Sequence, residues 1–471
     1  MNEENKMSYI QNSIAAVLID CLDKISINLQ SEKSNDELNK VIELLKDEFL
    51  LQAVPYKNIK QDFSKIFGVM KRKKAALVFG AGVSMGKPLN MCNWSGLLKN
   101  AVTGHFLSCY EKTFIDANDF SNLYGDFLGK FDLYELAQYI ENSIRERHAT
   151  DYLYNRDEIE ERVNADMYEI VKRSIYRDKQ RDGKSGQSED DFVAEIEKSL
   201  LFRLCKYITD KKISRVLTYN YDNAFEFTYC KYAKENSDGV KIKKLTPVFI
   251  DDQLSDVAED TGCVCYHVHG YVPYFDEKYS SEAKVLNALK KSEARRLILS
   301  EYSYDDMAHS SYKWRNTLQI DTFLKYNCLF FGFSATDKNF KRIVKLMGWR
   351  NEGAVFDEEH EAKHYIFMTI DDYIRNIFGD LAPIVFYDKE DCKSAKERKA
   401  ASAKRDEAQR KLQNDFAENP NDLLKKLIVQ CRLMYYTLRS RRKYLKGLNI
   451  YPLWCTTYDA VDCFDYMLSS D

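Results

Sequence analysis

Three glycines follow an apolar run in the segment AALVFGAGVSMGKP: Gly80, Gly82 and Gly86. Glycine at a strand end lets the backbone turn sharply and lets a pyrophosphate approach bare N–H groups, while a following helix N-terminus adds favourable partial charge. The spacing is GxGxxxG, because Met85 stands where the strict dinucleotide fingerprint has its third glycine. A tight strand-to-helix turn without a ligand explains the same residues. Further along, other apolar runs also end on polar side chains. RVL is followed by Thr218-Tyr219-Asn220-Tyr221-Asp222, CVCYHV by His269-Gly270, and LFF by Gly332-Phe333-Ser334 with Asp337 and Asn339 close behind. An amide cannot titrate but can fix one water or hydroxyl, which suits Asn220 to positioning. An unperturbed imidazole titrates near pH ~6.5, which makes His269 the candidate general base. Taken singly, each has a plain structural explanation: a turn at Asn220, a satisfied histidine at 269, a helix cap at Ser334. Their recurrence after successive apolar runs is the stronger signal.

These residues need strands to position them. Short apolar runs at Ala75–Phe79, Arg215–Tyr219, Pro247–Ile250, Val264–Val268, Leu297–Leu299, Cys328–Phe331, Tyr365–Ile370 and Ile384–Tyr387 read as strands. Most are continuous rather than alternating, as in strands covered on both faces, and helical patterns stand between many of them. The expected fold is α/β: a Rossmann-like, mostly parallel sheet with helices on both faces, a helical insertion after the first strand, and helical N- and C-terminal extensions. In such sheets polar residues at the carboxyl ends of the strands converge on the ligand crevice. Residues 1–60 read as an N-terminal helical segment, 61–390 as the catalytic domain with the insertion at about 100–210, and 391–471 as a C-terminal helical extension. The insertion adjoins the glycine turn, where it could cover a ligand.

The ordered pieces GAGVS at 80–84 with Gly86 and Pro88, TYNYD at 218–222, the His269-Gly270 pair and GFSATDKN at 332–339 resemble the sirtuin family, specifically the sirtuin-like NAD+ hydrolase domains of bacterial anti-phage defence proteins. The resemblance spans roughly residues 61–390. It implies that Gly80, Ala81, Gly82 and Ser84 contact the pyrophosphate of NAD+ and that Gly332 and Ser334 lie near the adenosine ribose, with Asp337 also on the cofactor-binding side. Asn220 and Asp222 would face the nicotinamide ribose with His269 beside its hydroxyls, which makes these three the catalytic candidates. Two departures tell against deacylation. PLNMCNW replaces the usual sirtuin segment ending in PDFR, and the four-cysteine zinc module has no counterpart, so no metal is expected. Nicotinamide in NAD+ is already a cationic leaving group, so the site must chiefly hold and stabilise an oxocarbenium-like ribose. Cleavage to nicotinamide and ADP-ribose by a regulated, NAD+-depleting effector is the expected activity. A deacylase, an ADP-ribosyltransferase and a non-catalytic NAD+ or ADP-ribose sensor are the alternatives. Glu301 and Tyr302 are weaker site candidates, because a helix start at Ser300 explains them equally well.

Composition narrows the partners. Across 471 residues, 70 basic and 73 acidic side chains leave a formal charge of -3, so no global field points to nucleic acid or to an acidic membrane. The first residues lack the pattern of a secretory signal and no apolar stretch approaches the ~20 residues that span a bilayer, which suggests a cytoplasmic protein. The 12 Cys include no paired CxxC motifs and read as reduced, mostly buried thiols. Between Lys425 and Lys446 eight basic and no acidic residues interleave with Tyr435, Tyr436 and Tyr444. A solvated helix face or a subunit contact is favoured there over nucleic-acid binding. A homo-oligomer and a separate defence-system partner protein are further expectations, since unrestrained NAD+ loss would harm the cell.

Overall fold

The computed structural model describes residues 75–85, 89, 91–109, 132–150, 155–176, 196–197, 199–210, 213–236, 245–257, 262–273, 283–309, 313–346, 364–369, 371–386 and 395–455. The N-terminal helical segment read from the sequence, together with Gly86 and Pro88, lies outside these residues. The chain divides between Phe367 and Met368 into two compact units.

The larger unit is built on parallel strands. These are β1 (Ala75–Phe79), β2 (Arg215–Thr218), β3 (Leu245–Val248), β4 (Cys263–His267), β5 (Asn327–Phe331) and β6 (His364–Thr369), in spatial order β3-β4-β2-β1-β5-β6. All five registered pairings among them are parallel. Burial on both faces explains their unbroken apolar character: every residue of β4 and β5 is buried, and so are the last four of β1. Pro247 cannot donate to a ladder, and it sits on β3 at the sheet edge, where that donor is not required.

Among the described residues, the long connection from β1 to β2 carries helices: α1 (Gly82–Met85), α2 (Trp94–Cys109), α3 (Leu133–Ala149), α4 (Arg156–Ile175) and α5 (Leu200–Asp210). The described part of the insertion is helical, as expected. Helices α3 and α4 each open on a reciprocal capping box, Asp132 with Glu135 and Asn155 with Glu158, each cap contributing on the order of 1 kcal/mol. After β2 come α6 (Ala224–Glu235), then α7 (Ala283–Leu289), α8 (Glu301–His309), α9 (Trp314–Lys325) and, after β5, α10 (Lys338–Leu346). Phe323 of α9, Phe330 of β5, Phe333 and Phe340 of α10 pack ring against ring at 5.1–6.0 Å. This aromatic block fixes the turn after β5 against the sheet.

Two expected strands are not found among the described residues. Leu297–Leu299 is a buried connection with a bend at Ile298, whose N–H donates to the His269 carbonyl at 2.8 Å; its apolar side chains reflect burial, not strand pairing. Ile384–Tyr387 was expected as a strand, but α12 (Ala382–Phe386) spans its start, with Pro383 in the first turn, where a missing N–H costs nothing.

The smaller unit contains α11 (Asp371–Phe378), α12, α13 (Ala395–Glu418), α14 (Pro420–Gly447) and β7 (Ile450–Cys455). Leu423, Leu427, Cys431, Met434, Leu438 and Leu445 form the buried stripe of α14. The helical pattern was expected to run to the chain end, yet Asn449 at φ 57° terminates it and β7 follows. Asparagine is among the few side chains that enter this left-handed region readily. In the basic stretch of α14, Arg441 lies over the Tyr444 ring at 5.5 Å and Arg442 over Tyr451 at 5.6 Å.

Candidate functional site at the carboxyl ends of the strands

The register brings Phe79, Thr218, His267 and Phe331 level across four adjacent strands. The residues just beyond them therefore emerge side by side. The strand order reverses direction between β1 and β5, since β1 leads to β2 on one side and β5 to β6 on the other, and such a switch point is where open α/β sheets hold ligands.

At that point the two glycine turns are joined backbone to backbone. Gly80 donates its N–H to the Phe331 carbonyl at 3.0 Å and Gly82 to the Gly332 carbonyl at 2.9 Å. A Cβ on Gly80 would meet the Gly332 oxygen at 2.5 Å, and one on Gly332, at φ +58°, would meet the Val83 nitrogen at 2.3 Å. The glycines thus have a packing requirement of their own. The amides of Val83 and Ser84 are also engaged locally, with the carbonyls of Gly80 and Ala81.

Ser84 ties this turn to the end of β2. The Asn220 amide nitrogen donates to Ser84 Oγ at 3.3 Å, and the Ser84 hydroxyl donates to Asp222 Oδ1 at 3.1 Å. Asp222 Oδ1 also accepts the Ala224 N–H at 3.0 Å, which anchors it at the start of α6. Burial pushes the Asp222 carboxyl above its ordinary value, and the Ala224 and Ser84 hydrogen bonds oppose that rise. All three side chains are buried, Ser84 at 1%, Asn220 at 8% and Asp222 at 9% exposure.

Below Asn220 lies a second buried group. The His267 Nδ1 donates to the Asn220 carbonyl at 3.2 Å, and its Nε2 meets Glu226 Oε1 at 2.7 Å, with Cys265 Sγ at 3.8 Å. Glu226, Cys265 and His267 place potential ligand atoms within 4.8 Å of one another. Three such donors could hold a metal ion. The 2.7 Å contact joins the imidazole directly to the carboxylate, and through Nδ1 the pair also holds the backbone of Asn220.

His269 sits in a box of tyrosines, with Tyr219 at 5.0 Å, Tyr304 at 5.5 Å and Tyr221 at 6.4 Å between ring centres. Each phenol is tethered: Tyr219 to Gln319, Tyr221 to the Ile298 carbonyl and Tyr304 to Asp337 Oδ2. The His269 Nε2 lies 3.5 Å from Asp337 Oδ2, an electrostatic contact but not a hydrogen bond, and the atom is buried without a hydrogen-bonding partner. Burial holds this imidazole below its ordinary value; Asp337 opposes the shift and Arg315 adds to it. A neutral ring with an unused nitrogen can take a proton.

The insertion covers this box. Trp94 of α2 stacks on Tyr221 at 6.0 Å and 20°, and Tyr134 of α3 meets Tyr304 edge-on at 4.7 Å. Lys338 caps the Tyr134 ring at 4.0 Å.

Residues 214–382 match a family model described as the SIR2-like domain. Over this segment the chain is similar to that family. No curated protein matches the chain. The SIR2-like segment contains Asn220, Asp222, His269, Gly332, Ser334 and Asp337, whereas the glycine turn precedes it and reaches it through Ser84 and Gly82. SIR2-like domains use NAD+, so the segment fits an NAD+-related activity. Of the residues singled out from the sequence, Gly80 and Gly82 meet Gly332, Ser84 meets Asn220 and Asp222, and His269 meets Asp337. Ala81 is half-buried in the same turn; Ser334 is exposed and bonds to Thr336 Oγ1 at 2.6 Å. Tyr302 is 59% exposed, so the site tyrosine of α8 is Tyr304. Sequence reading missed the His267–Glu226 pair, although a histidine inside the continuous run CVCYHV was the available signal. It also missed Trp94 and Tyr134, for which no local pattern exists. No helix among the described residues is long and apolar enough to cross a membrane.

Proposed function

We propose that this protein is an NAD+ glycohydrolase that breaks the bond between nicotinamide and ribose, acting as a regulated NAD+-depleting effector in bacterial anti-phage defence. The observation that carries the reading is the buried chain from Asn220 through Ser84 to Asp222, which joins the phosphate-type glycine turn to the sugar-facing end of β2. In this reading the bonding electrons leave with nicotinamide, which becomes neutral. Water bonds to the exposed sugar carbon, and its proton passes to the unused Nε2 of His269. Asn220 orients the water or a ribose hydroxyl, and Asp222 with Asp337 supplies negative charge beside the developing cation. Residues 61–390 would form the catalytic domain. The aromatic cover from α2 and α3 supports restraint at rest, released by assembly or by a partner protein.

Whatever NAD+ the purified protein turns over, at rest or once released, should yield nicotinamide and ADP-ribose in equal amounts with no acyl acceptor present. Asn220→Ala and His269→Ala should each lower turnover by ~10²–10⁴-fold while remaining folded. NAD+ binding is measured alongside, because a restrained enzyme binds before it turns over. Undiminished NAD+ consumption by either variant sinks the assignment, and product that depends on an acylated peptide replaces hydrolysis with transfer.

A further inference from the structure

A recess of about 960 Å3 lies on the larger unit, lined by α3, α4, the segment 295–300 and the first turns of α8 and α9. Ser84, Asn220, Asp222, His269 and Asp337 are not among its lining residues. Volumes of roughly 300–1,000 Å3 suit small-molecule ligands.

The charges around it are unbalanced. Glu141 and Glu160 of its wall are both taken by Arg145 at 2.9 Å, Asp306 pairs with Lys313, and Asp321 pairs with Arg215 and Lys325. Two wall carboxylates, Asp251 and Glu293, remain outside any ion pair among the described residues. Against them stand Arg156, Arg295, Arg296 and Arg315, none with a carboxylate at ion-pair distance among the described residues. Arg315 is the telling one. Its Nη2 reaches only two carbonyls, Phe249 at 3.3 Å and Arg296 at 3.4 Å, and its Nε is buried with no hydrogen bond. Burial pulls this guanidinium down to about 10. A buried guanidinium with a spare donor is costly unless an anion completes it. The floor beside it is apolar, from Leu297, Ile298 and Met307, and the Trp314 ring stands next to the Arg315 guanidinium.

We infer that this recess binds a phosphorylated, nucleotide-like small molecule, with its phosphates on Arg315 and Arg296 and its flat body against Ile298, Met307 and Trp314. The excess of two cations over free carboxylates matches a diphosphate better than a single carboxylate, and the planar guanidinium fork matches phosphate oxygens. The recess is wired to the candidate active site: Ile298 donates to the His269 carbonyl and accepts from Tyr221, and Arg315 contributes to the field at His269. Occupancy is therefore positioned to report on the neighbouring site.

The test uses the full chain and isothermal titration calorimetry, with ADP and inorganic pyrophosphate as probes. Arg296 is exposed, so Arg296→Glu is expected to fold; Arg315→Lys keeps the charge and removes the fork. Circular dichroism verifies both. ADP affinity should fall at least about 10-fold in Arg296→Glu, with a smaller loss in Arg315→Lys, and pyrophosphate should follow the same order at weaker affinity. If Arg315→Lys fails to fold, Arg296→Glu decides alone. ADP that fails to bind the wild type, or binds the folded variants unchanged, overturns the inference.

Discussion

Replacing Gly332 by alanine tests the joined turns most sharply. The new methyl would sit 2.3 Å from the Val83 nitrogen and 2.6 Å from the Gly82 carbonyl carbon, on a backbone at φ +58°. The left-handed conformation costs ~1–2 kcal/mol for alanine, the overlap forces displacement worth on the order of 1–3 kcal/mol, and the Gly82–Gly332 hydrogen bond forfeits about 1 kcal/mol. A total loss of about 3–6 kcal/mol is a large share of an ordinary stability of ~5–15 kcal/mol. Gly80→Ala separates the contributions: it carries the overlap with the Gly332 oxygen at 2.5 Å but no positive φ, so its loss should be smaller, about 2–4 kcal/mol. Gly104, in α2, has nothing within 4 Å of its would-be Cβ, and Gly104→Ala should stabilise by ~0.5–1 kcal/mol. Thermal melting followed by circular dichroism reads all three. At roughly 2 °C per kcal/mol for a large domain, Gly332→Ala should melt at least about 6 °C low. Hydrogen exchange should localise the damage to the peptides covering 75–85 and 327–346. A Gly332→Ala protein that melts with the wild type refutes the described contact.

The lowered His269 value gives stability a pH dependence. The unfolded imidazole takes up its proton near pH ~6.5 and the folded one only at lower pH, so the folded state is favoured above that point and loses ground as pH falls through the interval. His105, lowered by its own burial, acts in the same sense. Urea midpoints between pH 5 and 8 should show this slope, flatter in His269→Gln; an equal slope in that variant refutes the assignment. Glu226→Gln keeps a partner for His267 and should cost ~1–3 kcal/mol, whereas Glu226→Ala strands the ring and should cost ~3–5 kcal/mol. If the pair acts by holding Asn220, the glutamine variant also retains more turnover than the alanine variant, and equal turnover in the two argues against that role. Trp94→Ala removes a ring from over Tyr221 and should speed NAD+ association in stopped-flow measurements while lowering the melting temperature. Unchanged association would show that Trp94 is no cover.

The sheet was readable because its strands are buried on both faces, which leaves unbroken apolar runs at β1, β2, β4, β5 and β6. The same signal misled at Leu297–Leu299, where burial beneath the recess selects the same residue types without a ladder. It misled again at Ile384, where Pro383 favours a helical first turn. The polar strand ends were visible as a series, but their mutual contacts come from register: Thr218 is level with Phe79 and His267 only once the strands are paired. The tyrosine box and its tryptophan cover join residues far apart in the chain, Trp94 with Tyr221 and Tyr134 with Tyr304. No short-range pattern encodes such pairs.

If a ligand needs the space that Trp94 and Tyr134 cover above the tyrosines around His269, it binds only the unroofed fraction of molecules, in which those rings have moved aside. Its apparent dissociation constant is then the intrinsic one divided by the unroofed fraction. Anything that raises that fraction tenfold, whether a neighbouring subunit, a bound nucleotide or a single substitution in α2, tightens apparent binding tenfold without touching the ligand. Under the proposed function, sensitivity to a trigger would thus be tunable from the helical insertion while the residues at the strand ends stay unchanged.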